Sequence, residues 1–148
     1  MELRPLDASH DSLLTSLQQQ EDVWEFIGTL PVSARDRSNH VFAVMDGHAA
    51  LGFAGLVRSR AAGADDFELL CAMRSEVQQR GVARQACQLV LDWAFKTEKL
   101  ERVIACIDQS NHPARTIADK IGMKELAIQE RGAPPSNRIV YVKYRDKR

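Results

Sequence analysis

The chain has no excess of charge of either sign and no long apolar run. Its 20 Lys and Arg balance 20 Asp and Glu over 148 residues, so no strong field is available to hold a nucleic-acid backbone or an anionic membrane surface. No apolar run approaches the roughly 20 residues that cross a bilayer. The first residues also lack the charged and apolar regions of a signal peptide. We therefore expect a cytoplasmic protein with neither a nucleic-acid nor a membrane partner.

Cysteine, glycine and proline are also scarce. The three cysteines, Cys71, Cys87 and Cys106, are an odd number without Cys-x-x-Cys spacing, which excludes a disulfide framework or a metal knuckle and predicts reduced, buried thiols. The four histidines show no ligand spacing, so no metal is expected. Eight Gly and five Pro are too few for a low-complexity linker, whereas 45% hydrophobic residues suffice for a core. The chain is predicted to be a single domain, 1–148.

Hydrophobic periodicity predicts an alternation of strands and helices. The expected elements are a strand at 2–6, a helix after Asp7 through Leu17, a short helix at 22–30, strands at 41–45, 49–57 and 67–73, a long helix from Ala83, a strand at 103–107, a helix capped by Ser110 or Asn111, and strands at 123–130 and 138–145. Strand 67–73 is nearly all apolar and is predicted to be central. Asp46-Gly47 predicts a tight hairpin turn, and Asp65 and Asp66 are expected in a solvated turn. This order, β α α β β β α β α β β, predicts an α/β sandwich with a mixed sheet.

The segment between strand 67–73 and the long helix is the most informative. The first amides of a helix have no intrahelical acceptor and lie at the positive end of its dipole, so the junction can bind a phosphate. Small residues there let a ligand approach the backbone. The alternative is an ordinary turn made by a glycine. The residues concerned are Gln78, Gln79, Arg80, Gly81, Val82, Ala83 and Arg84.

This junction resembles the pyrophosphate loop of the GCN5-related N-acetyltransferases, the GNAT family. That loop has the pattern Gln/Arg-x-x-Gly-x-Gly/Ala, which Gln78, Gly81 and Ala83 match after the fourth strand. Segments 67–83 and 111–123 are similar to the ribosomal-protein N-terminal acetyltransferase subgroup. The resemblance covers residues 2–145 and implies a mostly antiparallel sheet with helices on both faces and splayed central strands.

The resemblance implies acetyl-CoA as co-substrate, bound where the fourth and fifth strands part. Residues 78–84 would hold its pyrophosphate, and pantetheine would run along Cys71, Ala72 and Met73. A strand amide near Met73 or Cys71 would polarise the thioester carbonyl. Asn111 would bond the cofactor arm, cap the following helix, or do both.

Glu68 is the only ionisable residue within strand 67–73. It matches the family position of a glutamate that acts as general base, usually through water. Two other interpretations stay open: an anchor for the substrate amine, and a solvent-facing strand residue. Cys71 has no histidine near it in sequence and is expected to be a core thiol rather than a nucleophile.

The residue that usually protonates the leaving CoA thiolate in this family is absent. Many members carry a tyrosine where this chain has Ala118, and the subgroup's serine is replaced by Ala114. Tyr141 and Tyr144 are three residues apart on a strand and are predicted to project to opposite faces. The CoA thiolate is therefore expected to leave without receiving a proton from a protein side chain.

The function that follows is direct acetyl transfer to a primary amine of a protein, peptide or small molecule. Trp24, Phe26 and Ile27 are expected in the core rather than in a pocket, although in the fold that the resemblance implies the first two helices and their loop line the acceptor cleft. The alternative from another class is a non-catalytic module that binds or senses acyl-CoA. The chain could be a monomer or a homodimer, because the sequence does not decide between them.

Overall fold

The computed structural model describes residues 1–10, 12, 39–74, 77, 81–131 and 136–146. Within this part of the chain, seven strands form one sheet and two α-helices cover it. The strands are β1 (Glu2–Pro5), β2 (His40–Asp46), β3 (Ala49–Ser59), β4 (Asp66–Met73), β5 (Arg102–Asp108), β6 (Lys124–Arg131) and β7 (Ser136–Tyr144). The helices are α1 (Val82–Lys96) and α2 (His112–Lys120), and Ala8–His10 forms a 3₁₀ turn.

The sheet order is β1-β2-β3-β4-β5-β7-β6, with β4 in the centre. Neighbouring strands are antiparallel except β4 and β5, which are parallel. The prediction of a mixed, mostly antiparallel sheet with a central fourth strand is therefore confirmed. Asp7 begins the 3₁₀ turn by accepting the Ser9 amide at 2.8 Å. The rest of the two predicted N-terminal helices, with Trp24, Phe26 and Ile27, lies outside the described residues.

Alternation along the strands divides the core between the two faces of the sheet. Leu69, Cys71 and Met73 of β4 face α1 and α2 in the main cluster, whereas Leu70 and Ala72 belong to a cluster on the other face. Because side chains on both faces are buried, β4 has a continuous apolar sequence rather than an alternating one.

Both helices lie where their sequences predict them, and α1 begins at Val82, one residue before the predicted start at Ala83. The apolar face of α1 is buried, and Arg84 on its polar stripe is exposed. Asn111 caps α2 because its side-chain oxygen accepts the Ala114 amide at 3.3 Å. Gly122 follows the end of α2 with a φ of 87°, a left-handed conformation that glycine adopts without strain.

The β2–β3 hairpin is antiparallel as predicted, but its turn lies one residue later than Asp46-Gly47 suggests. Asp46 pairs with Ala49 and is the last residue of β2, so the loop consists of Gly47 and His48. Gly47 has a φ of 60°, which suits a two-residue turn with glycine in its first position. The three cysteines are free and buried, as expected.

Candidate active site

The central strands part at Glu68. The ladder between β4 and β5 pairs Glu68 with Ile104 and contains no further pair, whereas the ladder between β3 and β4 continues from Ser59 opposite Asp66 to Gly52 opposite Met73. Within the described residues, β4 therefore pairs with β3 but not with β5 beyond Glu68. This confirms that the central strands are splayed.

The register shows which backbone groups of β4 face the gap. The Arg74 amide donates to the Leu51 carbonyl at 2.8 Å and so continues the antiparallel ladder with β3. Directly hydrogen-bonded pairs alternate along such a ladder, so Ala72 and Leu70 also direct their backbone groups toward β3. The N–H and C=O of Cys71 consequently point toward the gap between β4 and β5.

Both helices begin at the edge of the sheet where the gap opens. The carboxyl ends of the parallel strands β4 and β5 meet at one edge, and α1 and α2 follow them there. The first intrahelical bond of α1 joins the Gln85 amide to the Gly81 carbonyl at 3.1 Å. The amides of Val82, Ala83 and Arg84 therefore have no acceptor within the helix. The start of α1 thus presents the donors that an anion requires.

Gly81 keeps this helix end open. It is exposed, has a φ of 76° and supplies no side-chain cap. Among the described residues, no heavy atom lies within 4 Å of a Cβ built at this position, and Ala83 adds only a methyl group. Gln78, Gln79 and Arg80, the remainder of the predicted pyrophosphate loop, lie outside the described residues.

Glu68 is half-buried where the strands part, on the face of the sheet opposite α1. The Ser59 hydroxyl donates a hydrogen bond to its Oε1 at 3.2 Å. Among the described residues, no Lys, Arg or His forms an ion pair with it.

The expectation of a solvated turn is wrong for Asp66. Its side chain is only 5% exposed and binds Arg102 through two hydrogen bonds of 2.8 Å. Asp66, followed in turn by Tyr144, raises the pKa of Arg102 above its usual range by hydrogen bonding. Asp65 is exposed and pairs with Arg60. Nothing in the sequence around Asp66 indicates that Arg102 of β5 pairs with it, because Arg102 lies 36 residues away.

The thiol and the two tyrosines are poor candidates for catalysis. A hydrogen bond with Cys87, reinforced by burial, raises the pKa of the Cys71 thiol well above its usual value, so the thiolate is disfavoured. The Tyr141 side chain is buried, and its hydroxyl accepts from Arg115 Nε at 3.3 Å. Tyr144 is 57% exposed. The described residues contain no group of three His, Cys, Asp or Glu suited to a metal, and none of their helices is long and apolar enough to span a membrane.

One groove of the described surface lies away from the start of α1. It has a volume of about 570 Å³ and is bordered by Phe95 and Lys96, at the opposite end of α1 from Gly81. We place the candidate site at the gap rather than in this groove, because the gap brings together exposed backbone donors and a carboxylate.

The model of the acetyltransferase (GNAT) domain matches residues 1–124. The chain belongs to the GNAT acetyltransferase family. This GNAT chain is 29% identical over 75 residues to the uncharacterized N-acetyltransferase YnaD of Bacillus subtilis. The matched segment covers 51% of the chain and 44% of that relative's length.

Solved GNAT structures share the fold at low identity. A chimera of the spermidine N-acetyltransferase SpeG from Vibrio cholerae and hSSAT is 16% identical with a TM-score of 0.79, covering 97% of this chain and 96% of that one. A GNAT-family acetyltransferase from Bacillus anthracis is 18% identical with a TM-score of 0.77, covering 96% and 93%. The ribosomal-protein-S5-alanine acetyltransferase of Vibrio fischeri is 16% identical with a TM-score of 0.77, covering 98% and 93%.

Proposed function

We propose that residues 1–148 form one acetyltransferase domain that acts in the cytoplasm and transfers the acetyl group of acetyl-CoA directly to a primary amine. The observation that carries this proposal is the parting of β4 and β5 at Glu68, because it combines a gap between strands with a carboxylate at its closed end. Membership of the GNAT family supports the same chemistry.

The residues around the gap suit an extended, anionic co-substrate. We assign the pyrophosphate to residues 78–84, since the start of α1 offers amides with no acceptor inside the helix, beside a glycine without a side chain. Pantetheine would follow Cys71, Ala72 and Met73, because the Cys71 backbone faces the gap. Asn111 lies at the same edge, where its capping bond to Ala114 orients its side chain.

Acetyl-CoA supplies an electrophilic thioester carbon. The acceptor nitrogen needs a lone pair to attack it, so an ammonium must first lose a proton. In our proposal, Glu68 accepts this proton directly or through a water molecule. The Cys71 amide is oriented to donate toward negative charge that develops on the carbonyl oxygen.

No protein acid is required for the leaving group. Ala114 and Ala118 are fully buried and have no hydroxyl, and Tyr141 is buried with its hydroxyl accepting from Arg115. A thiol with a pKa near 8.5 leaves as the thiolate at neutral pH at a tolerable cost.

The names of two structural neighbours suggest which acceptors to test. One acts on spermidine and another on the alanine of a ribosomal protein, and both acceptors present primary amines. We therefore propose a small-molecule, peptide or protein amine, with no nucleic acid and no metal in the reaction.

A thiol-release assay tests this function directly. Acetyl-CoA would be incubated with spermidine, an alanine-initiated peptide or a lysine peptide, while calorimetry measures acetyl-CoA binding. We expect saturable turnover with at least one amine. Tight binding without turnover would instead favour a non-catalytic acyl-CoA-binding module, and the absence of binding would contradict both.

A further inference from the structure

We propose that Ser59 is a positioning residue that holds the Glu68 carboxylate for proton transfer. The inference rests on the proposed function, in which Glu68 takes the amine proton. The β3–β4 register places Ser59 opposite Asp66 and Val57 opposite Glu68, so Ser59 and Glu68 are diagonal neighbours on one face of the sheet. The Ser59 hydroxyl donates to Glu68 Oε1 at 3.2 Å.

The surroundings favour Glu68 rather than Asp66 as the acceptor of this hydroxyl. Asp66 lies directly opposite Ser59, but both of its oxygens accept from Arg102 at 2.8 Å. The Ser59 oxygen itself accepts the Ala61 amide at 3.2 Å. A serine hydroxyl has a single hydrogen to donate, and with Asp66 engaged by Arg102 this hydrogen is given to Glu68.

The turn that holds Ser59 is attached to the other half of the sheet. The Ala61 carbonyl accepts from Gln129 Nε2 at 2.6 Å, and Gln129 Oε1 accepts from Arg138 Nε at 2.7 Å. Gln129 and Arg138 lie on β6 and β7, beyond the gap from β3. Hydrogen bonds therefore connect the turn after β3 to the half of the sheet beyond the gap.

This arrangement limits the positions open to the Glu68 side chain. A glutamate has three side-chain torsions, and within the described part of the chain Ser59 alone donates a side-chain hydrogen bond to the Glu68 carboxylate. Misplacement of a reacting group by about 1 Å can cost about 100-fold in rate. We expect loss of the Ser59 hydroxyl to lower kcat by about tenfold or more, the effect typical of losing a hydrogen bond to a charged group.

The test combines Ser59→Ala and Ser59→Thr with Glu68→Gln. Each variant would be assayed with acetyl-CoA and spermidine or the alanine-initiated peptide, whichever turns over. We expect Ser59→Ala to lower kcat while the KM for acetyl-CoA and the melting temperature stay close to wild type. Ser59→Thr keeps a hydroxyl and should recover most of the rate. In the Glu68→Gln background, Ser59→Ala should have no further effect.

Ser9→Ala is a matched control, because Ser9 also donates its hydroxyl to a carboxylate, that of Asp7. It should leave kcat unchanged. If Glu68→Gln is nearly inactive while Ser59→Ala keeps full kcat, the positioning role is wrong and the proposed function stands. An equal loss from Ser59→Ala in both backgrounds also overturns the positioning role, because the effect would not pass through Glu68. If Glu68→Gln retains full activity, the role of Glu68 as base fails and the inference with it, while acetyl transfer stands. If no amine turns over, the proposed function itself fails first.

Discussion

Replacing Gly81 by Asp or Asn separates charge from shape at the proposed pyrophosphate site. The two side chains are nearly identical in size, and both tolerate the left-handed backbone that Gly81 adopts at a φ of 76°. No described heavy atom lies within 4 Å of a Cβ at this position, so neither substitution clashes with the part of the chain that the structure describes. A difference between the two variants therefore reports the added negative charge.

The size of the difference follows from Coulomb's law. Two like charges about 5 Å apart repel by about 1 kcal/mol at the dielectric constant of water and about 3 kcal/mol at an effective value near 20. Since each 1.4 kcal/mol is a factor of ten in affinity, Gly81→Asp should bind acetyl-CoA about 5- to 150-fold more weakly than Gly81→Asn. The difference should shrink as salt concentration rises.

Folding stability should change in the opposite direction. A negative charge near the start of α1 interacts favourably with the helix dipole, by about 0.3–1 kcal/mol. We therefore expect Gly81→Asp to melt at the same temperature as Gly81→Asn or slightly higher, while it binds more weakly. Calorimetric titration with acetyl-CoA at two salt concentrations, together with thermal melting, measures both effects. Equal dissociation constants for the two folded variants would refute the placement of an anion at this helix end.

Three further predictions concern the reaction and the sheet. Glu68→Gln keeps the side-chain shape but removes the base, so kcat/KM should fall by about 10² to 10⁴. Calorimetry should show a nearly unchanged affinity for acetyl-CoA. If the variant keeps most of its activity across pH, Glu68 has a structural role instead. Tyr141→Phe and Tyr144→Phe should each change kcat by less than about tenfold in the same assay, because loss of a committed acid typically costs about 100-fold or more. A larger fall at intact stability and affinity would reveal an acid on β7. Gly55→Ala places a Cβ against the backbone of β2 and should lower the unfolding free energy by about 3 kcal/mol. Gly63→Asn, at an open position with positive φ, should lower it by less than about 1 kcal/mol. Chemical denaturation measures both changes. Equal losses would contradict the packing argument.

Most of the elements could be predicted because their signals are local. The apolar run 67–73 marks a strand buried on both faces, and Asn111 and Gly122 mark the two ends of α2 through capping and a left-handed backbone. The glycine loop ahead of α1 could be recognised in the same way, because a helix start with small residues is encoded within a few positions.

The sequence by itself therefore determined the order of the described elements, the buried face of each helix and the residue types beside the proposed cofactor. Only the tertiary structure decided which polar groups meet. It brings Arg102 to Asp66 across 36 residues and directs Ser59 to Glu68 across the β3–β4 ladder. The physical reason is that periodicity and capping act within a turn or a strand, whereas a side-chain partner is chosen by strand register and by competition among donors from distant segments. Such pairings leave no local pattern, because they exist only once the strands are laid side by side.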